Sequence, residues 1–363
     1  MINLRKNIVK CLLTIVMIFS ISFVTVANEN QEEESTKFKP GEFIMHHIYD
    51  AHEWNICRVG EIQVYIPLLI IVRSETKGWN VFSSRKFQHG EKSYKGFRLE
   101  KKGKYKGKVV EVLDDGITID SKASLPLDFS ITKDVLGVFV SLILMLWVFL
   151  SVAKAYVKNR GKAPKGIQSA VEPIILFVRD DIAKQSIGEK QYERFTPFLL
   201  TIFFFILINN LAGLIPIFPF GANLTGNITI TMVLALFTFF VTNFSGNKHY
   251  WKDIFNSSTI PWWLKFPIPL VPIVEILGMF TKPLILMIRL FANMSSGHII
   301  ALGFFSLIFV FGEMSVGIGY GVSVLSIAFS IFMTMLDLLI SVIQAYVFTL
   351  LSAIYFGMAT EEH

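Results

Sequence analysis

Two apolar stretches near the C-terminal end carry ionisable side chains at helical spacing. Glu275, Lys282 and Arg289 recur every seven residues, and Ser296 continues the series. That repeat keeps all four on one stripe of a helix, drifting about 20° per step. Asn293, four residues after Arg289, shares the face. In the second stretch Asp337, Ser341 and Gln344 share a face at i, i+4 and i+7. A charge at the centre of a bilayer costs about 2.5–3.5 kcal/mol on insertion scales, so such residues point to ion or substrate passage. His298 adds a group that changes charge near neutral pH, and a His with a carboxylate at similar depth can relay protons.

Simpler roles are open to some of these residues. Glu275 and Lys282 can form an interfacial pair that snorkels to water. Asn293, Ser341 and Gln344 can be hydrogen-bond glue between helices. Arg289 resists such a reading, because it lies well inside its apolar stretch and more than 20 residues follow it without another Lys or Arg.

The composition supplies the solvent for this chemistry. Hydrophobic residues make up 53% of the 363, charged residues 17%, and Phe alone occurs 34 times. Apolar runs of bilayer-spanning length recur through the C-terminal two thirds. The expected fold is an all-α integral membrane protein of five membrane elements, at about 135–155, 196–218, 228–244, 268–312 and 320–358. The last two greatly exceed the roughly 20 residues needed to span. They are expected to form a hairpin of two long, tilted helices turning around Phe311 to Tyr320. Between the first two spans, Gly166 to Lys184 reads as an amphipathic helix on the membrane surface. Val171, Ile174, Ile175, Phe177 and Val178 form its apolar side.

Ahead of the spans, residues 1–27 read as a cleavable signal peptide: Arg5, Lys6 and Lys10, then an apolar run, then the small residues Thr25-Val26-Ala27. Residues 28–132 read as a small β-rich extracytoplasmic module, with a hairpin turning at Asp115-Gly116 and a basic loop from Arg85 to Lys108. Residues 133–363 form the transmembrane domain. The loops 154–195 and 245–266 carry nine and three Lys/Arg, whereas 218–227 and 312–320 carry none. The positive-inside rule therefore puts the first two in the cytoplasm, the module outside and the C-terminus inside. The net charge of +6 comes without a nucleic-acid-binding motif, so no nucleic-acid partner is expected. Cys11 leaves with the signal and Cys57 has no partner, so no disulfide is expected. His46-His47 lacks further spaced ligands, so no metal site and no cofactor are expected.

Antiparallel geometry relates the two helices. With Arg289 level with Gln344, His298 lies about 13.5 Å further along and Asp337 about 10.5 Å further in the same direction. The two then fall within one turn of height. Nine residues is about half a rotation, so His298 points away from the Arg289 stripe. Either curvature brings both faces into use, or His298 meets Asp337 around the back.

Several of these segments resemble one family. Arg289-Leu-Phe-Ala-Asn-Met is similar to the Arg-Leu-Phe-(Gly/Ala)-Asn-Met signature of subunit a of F-type ATP synthases. Gln344-Ala-Tyr-Val-Phe-Thr-Leu-Leu-Ser-Ala-Ile-Tyr, Asn209-Asn-Leu-Ala-Gly-Leu-Ile-Pro, His46-His47 and Glu361-Glu362-His363 also resemble it. The resemblance implies a non-catalytic, proton-translocating stator subunit of a bacterial inner membrane, with two half-channels against a rotor ring of c subunits. The b-subunit peripheral stalk and other synthase subunits are further implied partners, besides the lipid bilayer. Arg289 then resembles the essential stator arginine, Gln344 its neighbouring glutamine and Asn293 a nearby polar residue. His298 and Asp337 match an ionisable pair of the outer half-channel, with acid and His swapped relative to many bacterial members, and Glu275 matches a carboxylate of the inner one. The pair favours protons over sodium. Ala292 stands where Gly is commoner, and the module exceeds the family's usual short N-terminal segment. The competing reading is a secondary transporter using Arg289 to bind an anionic substrate, against which stands the lack of an internal repeat.

Overall fold

The computed structural model describes residues 40–363 apart from 60–61, 102, 114, 121–122, 159–161, 216–217, 257–269 and 362–363. The signal peptide read at 1–27 lies outside the described residues, as do the side chains of His46 and His47.

A short helix, α1 (Pro40–Ile48), is followed by seven strands: β1 (Glu53–Val59), β2 (Ile62–Pro67), β3 (Leu69–Ser74), β4 (Gly78–Ser83), β5 (Phe97–Leu99), β6 (Val109–Glu111) and β7 (Leu127–Asp128). They form three small antiparallel sheets, β1-β2, β4-β3-β7 and β5-β6. Their shared core is Ile70, Val72, Phe82, Phe87, Phe97 and Val109. Two expectations are corrected here. The stretch Arg85 to Lys108 is not all loop, since it contains β5 and parts of two 3₁₀ turns. The predicted hairpin at Asp115-Gly116 narrows to one bridge, Val112 with Ile119, while β6 pairs with β5 instead. Burial decides the partner: Val109 and Phe97 join the same core, and the residues beyond the turn do not. The turn itself is held by Asp115, whose Oδ1 accepts from the N–H groups of Ile117 and Thr118, both at 3.0 Å.

The helical part follows as α2 (Lys133–Lys158), α3 (Ile167–Leu176), α4 (Tyr192–Gly213), α5 (Ile228–Ser245), α6 (Lys248–Asn256), α7 (Leu270–Met314) and α8 (Val316–Thr360). Five are long and apolar enough to cross a membrane: α2, α4, α5, α7 and α8. At 45 residues each, α7 and α8 are on the order of 65 Å long. A hydrocarbon layer of about 30 Å holds such helices only when they tilt steeply or project beyond it. Only Ser315 separates them. The turn is this tight because Gly312 and Gly319 touch, and a Cβ on Gly319 would stand 2.9 Å from the Gly312 Cα. The residues expected to open a loop there are thus helical.

The bundle core joins Leu199, Ile202 and Ile206 of α4 to Leu286, Leu290 and Met294 of α7 and to Ala345, Phe348 and Phe356 of α8. After α3 the chain continues as a π-helical stretch, Phe177–Lys184. The apolar side read from the sequence packs on this core. Val178, Ile182 and Ala183 are fully buried, and Val171, Ile174 and Ile175 pack beside them. Phe177 stays exposed, against Tyr346. A closely packed interior covers more of this face than a lipid surface alone would.

The β module is fastened to the bundle at three points. Trp54 of β1 is buried with Ala222 and Leu224 and meets Phe218 edge-on at 5.3 Å. Burial of such an aromatic is worth about 3–5 kcal/mol by the cost of truncation. Phe43 of α1 meets Phe309 of α7 at 6.4 Å. Asp50 caps α2 from outside, with Oδ1 accepting the Asp134 N–H at 3.0 Å. Close by, Nε2 of His52 is 2.7 Å from Asp128 Oδ2. Burial alone would raise the Asp128 carboxyl, but hydrogen bonds from His52 and Ser130 outweigh it and hold it below the usual range.

Candidate functional site

On α7, burial separates two faces. Leu286, Leu290 and Met294 are buried, while Glu275, Arg289 and Ser296 are exposed and Lys282 is half-buried. The heptad stripe therefore lies on the outside of the isolated chain. Asn293 is half-buried at the edge of that stripe. On α8 the corresponding residues turn inward: Asp337, Ser341 and Gln344 are all buried.

Side-chain contacts fix the register of the hairpin. Phe304 stacks on Phe329 at 5.1 Å, Asp337 lies against the Cα of Gly297, and the Lys282 ammonium sits 5.5 Å from the Tyr355 ring. Counting along both helices from these contacts, Arg289 is level with the stretch that holds Gln344.

The same register puts Asp337 within one residue of the height of His298, but not on its side. Asp337 faces Gly297, where only a hydrogen leaves room for the carboxylate. His298, the next residue, is turned about 100° further round. Its Nε2 points toward α4, where a Cβ on Gly213 would be 3.7 Å away, and Lys133 of α2 lies within electrostatic range. Among the described residues no hydrogen bond or ion pair joins His298 to Asp337.

A polar seam connects these groups. Thr225 donates to Asn210 Oδ1 at 2.6 Å, Asn210 Nδ2 donates to the Ser341 carbonyl at 3.2 Å, and Ser341 Oγ donates to the Asp337 carbonyl at 2.7 Å. Beside it, Ser295 donates to the Gly226 carbonyl at 3.2 Å. Asn227 caps α5 through the Thr229 N–H and donates to Asp134 Oδ2 at 2.7 Å. Buried atoms near this end that make no hydrogen bond among the described residues include His298 Nε2, Asp134 Oδ1, Asn209 Oδ1 and Asn223 Nδ2. A buried polar atom left open is costly in inert core and calls for an explanation.

Asn210, Thr225, Asn227 and Asp134 were not singled out as site residues from the sequence. The adjacent pair Asn209-Asn210 inside an apolar span was the available signal. Replacing Asn210 by Leu strands the Thr225 hydroxyl, whereas the Ser341 carbonyl keeps its helical partner. The expected cost is about 1–3 kcal/mol per group left unpaired, read as a lower melting temperature in detergent.

Two clefts lie at opposite ends of the bundle. One, at the module end, is lined by Gly137, Ser141, Asn209, Ala212 and Ala222 among others. The other is lined by Thr238, Thr242, Asn243, Tyr250, Lys282 and Tyr355. Burial, and then the nearby Glu275 carboxylate, push the Tyr250 phenol above its ordinary value. Along α7, Arg289 falls between Lys282, at one cleft, and His298, near the other. The arrangement puts polar side chains near each end of the bundle and a fixed cation at mid-height on the outer face.

Comparison with known proteins agrees with these features. A family model described as ATP synthase A chain matches residues 135–357. A second, described as a domain of unknown function (DUF8433), matches residues 43–129. The chain is 41% identical over 245 residues to ATP synthase subunit a of Chloroherpeton thalassium, covering 65% of this chain and 69% of that one. It is 45% identical over 240 residues to ATP synthase subunit a 2 of Chlorobaculum tepidum, covering 64% of each. With ATP synthase subunit a of Anaeromyxobacter dehalogenans it shares 38% over 245 residues, 65% of this chain and 60% of the other. The chain thus spans about two thirds of the length of the curated relatives it matches.

Proposed function

This chain belongs to the ATP synthase A chain family, and on that premise we propose that it is the non-catalytic stator subunit through which protons reach and leave a rotor ring. The observation that carries the reading is Arg289, exposed at mid-height on the outer face of a 45-residue apolar helix. Lipid is a poor neighbour for a guanidinium, so that face is best explained by a partner presenting carboxylates. A ring of small hydrophobic c subunits, each with one acidic residue, fits.

In this reading a proton enters from the module end, by way of Asp134, His298 and Asp337, and passes to a ring carboxylate. The polar seam and the open buried atoms beside it support that route. Rotation brings loaded carboxylates round to the far side of Arg289. There the proton leaves by the cleft of Tyr250 and Thr242, toward Glu275. Arg289 separates the two approaches because its charge is permanent: a guanidinium does not deprotonate at any working pH. Each ring carboxylate that arrives opposite it is held ionised. Gln344 and Asn293 flank the arginine and steer its hydrogen bonds. The membrane potential supplies about 2.3 kcal/mol per proton per 100 mV, and rotation carries that energy to nucleotide sites on other subunits. A peripheral stalk containing the b subunit keeps this chain from turning with the ring.

The loop charges support a bacterial multi-pass protein with the β module outside and the C-terminus in the cytoplasm. The same reading divides the chain into signal peptide, extracytoplasmic module and transmembrane domain. The secondary-transporter alternative gains no support from the relatives.

Cysteine cross-linking in native membranes tests the reading. Ile288→Cys and Ala292→Cys lie on the exposed face and are expected to cross-link to a small, very hydrophobic protein with one buried carboxylate. Leu290→Cys, on the buried face, is expected not to. Lipid-accessible cysteines at 288 and 292 with no such adduct would overturn the proposal.

A further inference from the structure

The sheet β4-β3-β7 has an inner face and an outer one, and the outer face has the wrong chemistry for water. Strand alternation sends Ile70, Val72 and Phe82 into the module core. It sends outward Leu69, Trp79, Val81, Leu127 and, just beyond β7, Phe129, with exposures of 40, 60, 54, 57 and 56%. An antiparallel sheet with one open face normally alternates to polar residues on that side. Here the charged residue among them is Arg73, whose guanidinium lies 5.7 Å from the centre of the Trp79 ring. The register makes the patch contiguous: Arg73 pairs with both Trp79 and Leu127, Ile71 pairs with Val81, and the Trp79 and Phe129 rings are 5.6 Å apart. Contiguous exposed apolar surface of this kind marks a contact site.

What covers it follows from where the strand leads. The pairing of β7 with β3 runs on through the N–H groups of Phe129 and Ile131, bonded to the carbonyls of Ile71 and Leu69. Helix α2 then begins at Lys133. The end of the sheet is therefore two residues from a membrane-spanning helix. That helix's own outward residues, including Val135, Phe139 and Ile143, continue the run of exposed apolar side chains. The residue mix of Trp and Phe with a snorkelling Arg is that of a membrane–water interface. Nearby in sequence, Arg85 to Lys108 holds ten Lys/Arg against two Glu, which complements anionic headgroups.

We propose that this outer sheet face, built on Leu69, Arg73, Trp79, Val81, Leu127 and Phe129, is a lipid-binding surface that seats the β module in the headgroup layer of the bilayer. The proposal stands apart from the ion-transport reading and holds whichever side of the membrane the module occupies.

Spin labelling of the full chain tests it. Cys11 and Cys57 are replaced by Ser, and single cysteines are placed at Val81 or Leu127. Each is labelled with a nitroxide in liposomes of phosphatidylethanolamine and phosphatidylglycerol. Collision rates with oxygen, which favours lipid, and with a water-soluble nickel chelate are then compared. Controls are Phe139→Cys on the lipid-facing side of α2 and Ile117→Cys on the exposed turn after Asp115. Labels at 81 and 127 are expected to share the high oxygen-to-nickel ratio of the Phe139 control. A ratio as low as that at Ile117 overturns the proposal. So does a low ratio in liposomes combined with shielding from both reagents in the native assembly, which assigns the face to a protein partner. Using two positions separates a local disturbance at one of them from the behaviour of the face.

Discussion

Membrane vesicles carrying Arg289→Ala are expected to make no ATP in response to an imposed proton gradient. The argument starts from position. Arg289 is exposed at mid-height on α7, between polar side chains near His298 and others at Lys282 and Tyr250. Without its charge, a ring carboxylate has no reason to ionise as it passes, and a protonated one can cross directly between the two approaches. Gradient and rotation are then uncoupled. Arg289→Lys is expected to rescue poorly, because a desolvated ammonium can lose its proton and a guanidinium cannot. The measurement is luciferase-detected synthesis, with nucleotide hydrolysis by the catalytic sector retained on the washed vesicles as a control for assembly. Undiminished synthesis in the alanine variant would remove the arginine from the mechanism.

Asp337→Asn is expected to slow proton uptake through the module-end approach by roughly 10²-fold, the scale of losing one positioned proton-transfer group. Geometry supplies a second, sharper variant. A Cβ at position 297 would occupy the space of the Asp337 carboxylate, so Gly297→Ala should slow uptake comparably without altering any titratable residue. His298→Ala should also slow it, since Nε2 is buried and open. Exchanging His298 and Asp337 is expected to restore little, because the carboxylate at 337 lies against Gly297 whereas Nε2 of His298 points toward Gly213 of α4, so the two side chains do not share one space. Initial rates of dye-reported acidification in proteoliposomes measure all four. A wild-type rate in Gly297→Ala would show that the carboxylate works from another rotamer. Restored uptake in the exchanged variant would show that both residues open into one shared space.

Much of this site was legible as residue spacing. Hydropathy located the spans, and the seven-residue repeat put Glu275, Lys282 and Arg289 on one stripe, which the structure leaves exposed. The antiparallel count also foresaw His298 and Asp337 at one height. It also read His298 as turned away from the Arg289 stripe; whether His298 then meets Asp337 was beyond it, because that depends on where α4 packs, a tertiary fact. The amphipathic stretch around Val171 and Val178 was legible as a face but not as to what covers it, because an apolar face fits a bilayer surface and a protein core equally well. The choice of β5 as the partner of β6 depended on a shared core with Phe97, not on the turn at Asp115 and Gly116. The Asn210 seam escaped notice because amide and hydroxyl residues inside a span read as generic glue until their partners are known.

The one-residue turn between α7 and α8 has a mechanical meaning. With only Ser315 between two 45-residue helices, the hairpin has no slack loop at its turn. It is also tied down away from its middle: Phe43 braces Phe309 toward one end, and α5 braces Phe280 through Phe239 toward the other, at 5.4 Å. A beam held at both ends deflects far less under a central load than one held at a single end. Arg289 stands near that centre, where a turning ring would push sideways against it. The β module, through α1, is in this sense one of the two bearings.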